Sequence, residues 1–220
     1  RHIDKHVHRT RQRPLTSGQI SLLEALSLLL VLLILSLLVV LQLPIRCFYE
    51  SFFALLVTAL YPFCKRLIQA PQLVLGIAFS VGIPMAYTAS NVPWNGSMAL
   101  LFLINFLWII AYDTIYAMAD RVDDLKIGVK STAIYFAPYD RFMVGLLQLI
   151  MHGLWFILAL SQHVALGFYI AWGVATMILF HQQRLIRFHQ EQRCIRAFSW
   201  SVWYGALMWI ALILGYKDFI

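Results

Sequence analysis

Apolar runs of membrane-spanning length recur along this chain from Ile20 to its end, and no other feature narrows the fold so far. Hydrocarbon offers no water to a backbone N–H or C=O, so a spanning segment must be a helix or part of a closed barrel. A helix needs about 20 mostly apolar residues to cross. Seven stretches qualify, at about 20–41, 45–61, 73–89, 98–117, 142–160, 164–182 and 197–216. Only 12% of the 220 residues are charged, against roughly 25% in soluble domains. The expected class is an all-α, polytopic transmembrane helical bundle. No hydrophilic stretch is long enough to fold separately, so 1–220 reads as a single membrane domain in the lipid bilayer. Ser21 and Glu24 read as a capping box opening the first span, and Pro84 should kink the third.

The connections carry the charge. Loops 1–19, 62–72, 118–141 and 183–196 hold 15 of the 17 Lys and Arg residues, leaving Arg46 and Lys217 on the other side. That asymmetry predicts that these loops face the cytoplasm and that the C-terminus lies outside. The net charge of +7 is thereby explained by topology, and no nucleic-acid partner is implied. Cys47, Cys64 and Cys194 have neither metal-ligand spacing nor a disulfide framework. His2, His6 and His8 fit a polar basic loop better than a zinc site. His152 and His163 fit polar packing or anchoring. Nothing in the sequence fixes an oligomeric state.

Acid is scarce, and its distribution is uneven. Four of the ten acidic residues, Asp113, Asp120, Asp123 and Asp124, fall within twelve positions. On a helix Asp113, Tyr116, Asp120 and Asp124 lie at about 0°, −60°, −20° and +20°, one polar face, with Asp123 at about −80°. Carboxylates on one face repel unless a cation or polar ligand sits among them. At i, i+4 spacing Asp120 and Asp124 can share one divalent cation, and magnesium held this way commonly binds substrate phosphates too. A solvated face paired with Arg121, Lys126 and Lys130 is the simpler alternative. Asp113 weighs against it, because a carboxylate deep in an apolar span costs roughly 2.5–3.5 kcal/mol and needs a partner or cavity.

Lys126 and Lys130 flank Gly128 and could meet a diphosphate, although the positive-inside rule alone would place lysines there. Tyr61, Lys65 and Arg66 end the second span on the same face, where an arginine could clamp an aromatic acid's carboxylate with Tyr61 beside it. A transporter would also explain acids at a span mouth. It predicts polar residues continuing outward, and outward of Asp113 that span is apolar apart from Asn105.

The stretch YDTIYAMADRVDDLKIGVKST closely resembles the second aspartate-rich motif of the UbiA-type intramembrane prenyltransferases, in particular those acting on 4-hydroxybenzoate in ubiquinone biosynthesis. RHIDKHVHRTRQRPLTSG is similar to the tail of their first motif, and YPFCKR, PQLVLG and GIPMAY follow in matching order across essentially the whole chain. The resemblance implies a nine-span fold with a central cavity capped by cytoplasmic loops in the bacterial inner membrane, and a periplasmic C-terminus. It implies Mg2+ as cofactor, with polyprenyl diphosphate and 4-hydroxybenzoate as substrates. Departure of diphosphate leaves an allylic cation, which the ring attacks ortho to its hydroxyl. By position, Asp4, Asp120 and Asp124 would hold the metal on the diphosphate, assisted by Arg13, Lys126 and Lys130. Arg66 and Tyr61 would face the aryl acid or the ionising carbon, and Asp113 and Tyr116 would support the geometry.

This chain departs from the family pattern at its start. The earlier residues of the first motif and two spans have no counterpart, so seven of nine spans are expected. A longer protein is therefore expected, and these 220 residues alone are expected to be inactive or nearly so. A different quinone-head acceptor and a non-catalytic fragment are the remaining alternatives.

Overall fold

A computed structural model describes residues 12–216, and they form a helical bundle with no strand among them. Asp4 and the histidines at 2, 6 and 8 lie outside the described residues. A short turn, α1 (Pro14–Ser17), precedes α2 (Leu22–Val40). The capping box forms as read. The Ser21 side chain accepts from the Glu24 N–H at 3.2 Å, and the Glu24 carboxylate accepts from the Ser21 N–H at 2.7 Å. No residue of α2 is buried.

α3 (Ile45–Leu67) continues through Pro62, six residues beyond the expected end at Tyr61. The third span is two helices, α4 (Gln72–Ser80) and α5 (Gly82–Ala89), meeting at Val81. Pro84 explains the break: it has no N–H to give the Ser80 carbonyl, and its ring crowds that carbonyl. α6 (Gly96–Ile127) has 32 residues, capped by the Asn95 side chain and ended by Gly128 in the left-handed region, φ 69°. The expected end at Ala117 is therefore too early, and most of the acidic segment is helical rather than loop. α7 (Thr132–Tyr135) is one turn. α8 (Asp140–Ser161), α9 (Leu166–Leu185) and α10 (Glu191–Gly215) complete the bundle.

Six of these segments are long and apolar enough to cross a membrane, α4 and α5 counting as one. The seventh expected span, α9, has 20 residues but ends in His181, Gln182, Gln183 and Arg184, which dilute its apolar character. Its polar end is bonded inside the bundle. The Gln182 amide nitrogen donates to Ala197 O and Ser201 Oγ, both at 2.9 Å, and its oxygen accepts from Gln148 at 2.8 Å.

Lipid removes the hydrophobic drive between helices, so close packing of small residues must replace it. Ala171 and Ala175 of α9 and Ala197 and Ala211 of α10 are all buried. One core cluster joins Ile104, Met151, Phe168, Tyr204 and Met208 across α6, α8, α9 and α10. A second, around Ile115, Val144, Ile186 and Cys194, lies beneath the acidic end of α6. His152 belongs to the packing, as expected. Its nitrogens bond Tyr204 Oη at 3.0 Å and Thr176 Oγ1 at 2.9 Å, and its ring stacks on Trp172.

Candidate active site

At 1.5 Å per residue α6 is about 48 Å long, well beyond a hydrocarbon core of about 30 Å. Its last turns can therefore carry charge clear of lipid. Asp120 and Asp124 sit there one turn apart, both half-buried. Gly128 then turns the chain, and Lys130 fastens it to the end of α3. The Lys130 N–H donates to Lys65 O at 2.9 Å, and its ammonium donates to Leu67 O at 3.0 Å.

Asp113 lies deeper on the same helix. The groups facing it are Gln72 of α4, Tyr61 and Lys65 of α3, and Asp120. Gln72 is buried, and its oxygen accepts from the Thr132 N–H at 2.9 Å. The Thr132 and Thr114 hydroxyls are 2.6 Å apart, and Thr114 donates to Ile110 O. These bonds tie α4, α6 and α7 into a floor under the carboxylates. The predicted cost of a carboxylate in this span is thus offset by polar and cationic neighbours from two other helices.

The nearby cations divide. Arg121 pairs with Asp140 at 3.0 Å and Lys126 with Asp123 at 3.1 Å. The simpler expectation, that Arg121, Lys126 and Lys130 neutralise the acidic face, is met only at Asp123 among these pairs. Arg13 caps α1 and donates to Tyr116 Oη at 3.4 Å, which places its guanidinium at this face.

Inward from Tyr116 runs a wall of aromatic rings. Tyr116 packs on Phe198 at 4.9 Å between centroids, Phe198 on Tyr112 at 5.7 Å, and Tyr112 on Trp108 at 5.4 Å. Trp108 borders an apolar cavity of about 210 Å³ shared with Ile104, Trp155, Tyr204, Met208 and Trp209. Asn105, the polar residue outward of Asp113, also borders the cavity and donates to Ser80 Oγ at 3.1 Å, which ties α6 to the α4 end.

The structure thus brings together Arg13, Tyr61, Asp113, Tyr116, Asp120, Asp124 and Lys130. Lys126 stands exposed on the rim, as does Arg66 on the last turn of α3. Two residues to which the sequence assigns no site role belong to the cluster: Lys65 and Gln72. The place of Lys65 follows from extending the α3 periodicity past Pro62. From Tyr61, Lys65 is rotated by about 40° and Arg66 by about 140°, so Lys65 shares Tyr61's face.

The donor set can be weighed against a divalent metal. No group of three or more His, Cys, Asp or Glu side chains suited to a metal occurs among the described residues. An all-protein cage is therefore not built from them. Two carboxylates at i, i+4 do fit magnesium, which usually takes one or two carboxylates with substrate phosphates and water.

Residues 1–213 match the UbiA prenyltransferase family. The chain is 55% identical over 215 residues to a 4-hydroxybenzoate octaprenyltransferase of Legionella pneumophila (strain Corby), a match covering 98% of this chain and 76% of that protein. It is 45% identical over 217 residues to the protein of the same name in Vibrio cholerae serotype O1 (strain M66-2), with the same two coverages. Among solved structures, the apo form of a UbiA homolog from Aeropyrum pernix K1 superposes with a TM-score of 0.80 at 21% identity, covering 96% of this chain and 80% of that one. A digeranylgeranylglyceryl phosphate synthase superposes with a TM-score of 0.65 at 18% identity, covering 97% and 78%.

Proposed function

The chain belongs to the UbiA prenyltransferase family, and on that premise we propose that it transfers a polyprenyl group from polyprenyl diphosphate to 4-hydroxybenzoate, ortho to the hydroxyl, in ubiquinone biosynthesis. The observation that carries the proposal is the stacking of chemistries along α6. A half-buried carboxylate pair stands at the end of an aromatic wall that leads to an apolar cavity. A diphosphate with a long hydrocarbon tail is complementary to that sequence of surfaces. The names of the curated relatives supply the acceptor.

Asp120 and Asp124 would hold Mg2+, with Asp4 contributing from the first motif. When bound, the ion supplies positive charge that neutralises the diphosphate. Lys130 and Arg13 would add donors to the diphosphate oxygens, with Lys126 at the rim. Asp113, Tyr61, Gln72 and Lys65 fix the floor on which these groups stand. The C1–oxygen bond of the donor breaks, and the diphosphate leaves with the bonding electrons. The ring carbon ortho to the phenol then bonds C1 and loses its proton. Tyr112, Tyr116, Phe198 and Trp108 would shield the allylic cation from water and stabilise its charge through their ring faces. Arg66 would clamp the acceptor's carboxylate at the rim. The charge asymmetry of the loops favours an inner-membrane protein with this end in the cytoplasm and the C-terminus in the periplasm.

The test is prenyl transfer in membranes carrying the complete gene product, with labelled polyprenyl diphosphate, 4-hydroxybenzoate and magnesium. The expected product is 3-polyprenyl-4-hydroxybenzoate, lost when magnesium is chelated. Transfer to another quinone-head acceptor in preference to 4-hydroxybenzoate would replace the acceptor assignment, and no transfer to any acceptor would remove the enzyme reading.

A further inference from the structure

We propose that Asp140 is a positioning residue that holds the Arg121 guanidinium away from Asp120 and Asp124, so that the pair's negative charge serves a phosphate-bound divalent metal. The inference rests on the reading of Asp120 and Asp124 as metal-binding residues.

Arg121 follows Asp120 directly and precedes Asp124 by three positions. Opposite charges three or four apart on a helix are neighbours and attract. No other cation is so close to both carboxylates in sequence. Its guanidinium nevertheless goes elsewhere: Nη1 is 3.0 Å from Asp140 Oδ2. The Asp140 side chain is fully buried, whereas that of Arg121 is 27% exposed. The other Asp140 oxygen accepts from the Arg141 N–H at 2.6 Å and bonds His189 Nε2 at 2.9 Å. One carboxylate therefore gathers donors from α6, from the start of α8, and from the connection between α9 and α10.

The surroundings make this anchor rigid. Ala133, Val144, Ile186, Cys194 and Ala197, all buried, pack in the cluster under this end of α6. His189 has φ 52°, an uncommon conformation for a residue with a side chain. It sits at the turn that presents the imidazole to Asp140. Such geometry exceeds what a surface salt bridge needs, since exposed pairs contribute little and are seldom so enclosed.

Asp140→Asn keeps nearly the same shape and an acceptor for the Arg141 N–H, but removes the charge that holds Arg121. The guanidinium can then turn to Asp120 or Asp124 and compete with the metal. Replacing Arg121 as well removes the competitor. A packing role for Asp140 predicts no such rescue.

The experiment uses the complete protein in detergent, Mn2+ as a paramagnetic probe and inorganic diphosphate as the phosphate ligand, with free Mn2+ read by EPR. Asp140→Asn should raise the half-saturating Mn2+ concentration about threefold to tenfold, and Asp140→Asn with Arg121→Gln should return it to within about twofold of the natural protein. Unchanged Mn2+ binding in Asp140→Asn, or a double variant no better than the single one, overturns the proposal. Arg121→Gln alone tests it without disturbing the buried carboxylate's charge. Binding no weaker than natural supports it, and weaker binding overturns it by making Arg121 part of the metal–diphosphate site. A natural protein that takes up no Mn2+ with diphosphate overturns both this proposal and the metal reading beneath it, whereas natural uptake with no effect of Asp140→Asn overturns this one only.

Discussion

Lys65 Nζ lies 5.3 Å from the centre of the Tyr61 ring, and both side chains face Asp113 across the boundary between α3 and α6. Arg66, the next residue, is turned to the rim. The two adjacent cations should therefore fail differently. Arg66→Met should raise KM for 4-hydroxybenzoate about tenfold or more, the loss of a charge-assisted bond, and leave KM for the polyprenyl donor unchanged. Lys65→Met removes a charge beside a deeply placed carboxylate and should lower kcat with both substrates saturating. Steady-state kinetics with each substrate varied in turn separates the two. Equal effects on the acceptor's KM would merge their roles.

The reason the sequence places Lys65 at the end of the second span but assigns it no role beside Asp113 is physical. A proline normally ends or kinks a helix, so the sequence sets the end of the second span at Tyr61, and positions beyond it lose their helical phase. α3 tolerates Pro62 and keeps its period to Leu67. The same holds at α6, where the sequence sets the end of the span at Ala117. Leaving the hydrocarbon and ending a helix are separate events, and α6 does the first without the second for ten residues. What depended on local period was legible: the apolar runs, the Ser21 capping box, and the shared face of Asp113, Asp120 and Asp124. What depended on partners distant in sequence was not. The bond from Thr132 to Gln72 spans 60 positions and the one from Lys130 to Leu67 spans 63. Neither residue pair carries a sequence pattern that would announce the other.

Asp120→Asn and Asp124→Asn should each reduce prenyl transfer by about 10²-fold or more at fixed magnesium. The substitution keeps the shape and removes the charge that a hard divalent cation requires. Asp123→Asn is the internal control, because Asp123 lies off the face shared by Asp120 and Asp124 and pairs with the exposed Lys126. Its effect should stay within about threefold, the range of a surface ion pair. The comparison is made by product formation per unit of folded protein in the membrane. Near-natural turnover in the Asp120 or Asp124 variant would undo the metal assignment.

Gln182→Leu separates stability from chemistry. It deletes bonds to Ala197, Ser201 and Gln148 that join α9 to α10 and α8. Interhelical hydrogen bonds within membranes average about 0.6 kcal/mol each, so the three together contribute about 2 kcal/mol. The expected result is a clear fall in the detergent melting temperature, while kcat per folded molecule stays natural. A catalytic loss without loss of stability would mean that this polar group does more than hold the bundle together.

Gly205 faces the Trp108 ring across the α6–α10 interface, and a Cβ placed on it would come within 2.6 Å of the ring's outer carbon. No real Cβ sits so close, so Gly205→Ala must move either α10 or the indole. Trp108 and Gly205 both border the apolar cavity, and Trp108 ends the aromatic wall that descends from Tyr116. Overpacking of this kind costs about 1–3 kcal/mol, or roughly 2–10 °C in melting temperature for a chain of this size. Trp108→Phe should restore much of that loss in the double variant, because the smaller ring vacates the space the new methyl needs. Thermal denaturation of the four proteins in one detergent provides the cycle. An additive double variant, with no recovery from the smaller ring, would show that Gly205 is required for something other than its fit against Trp108.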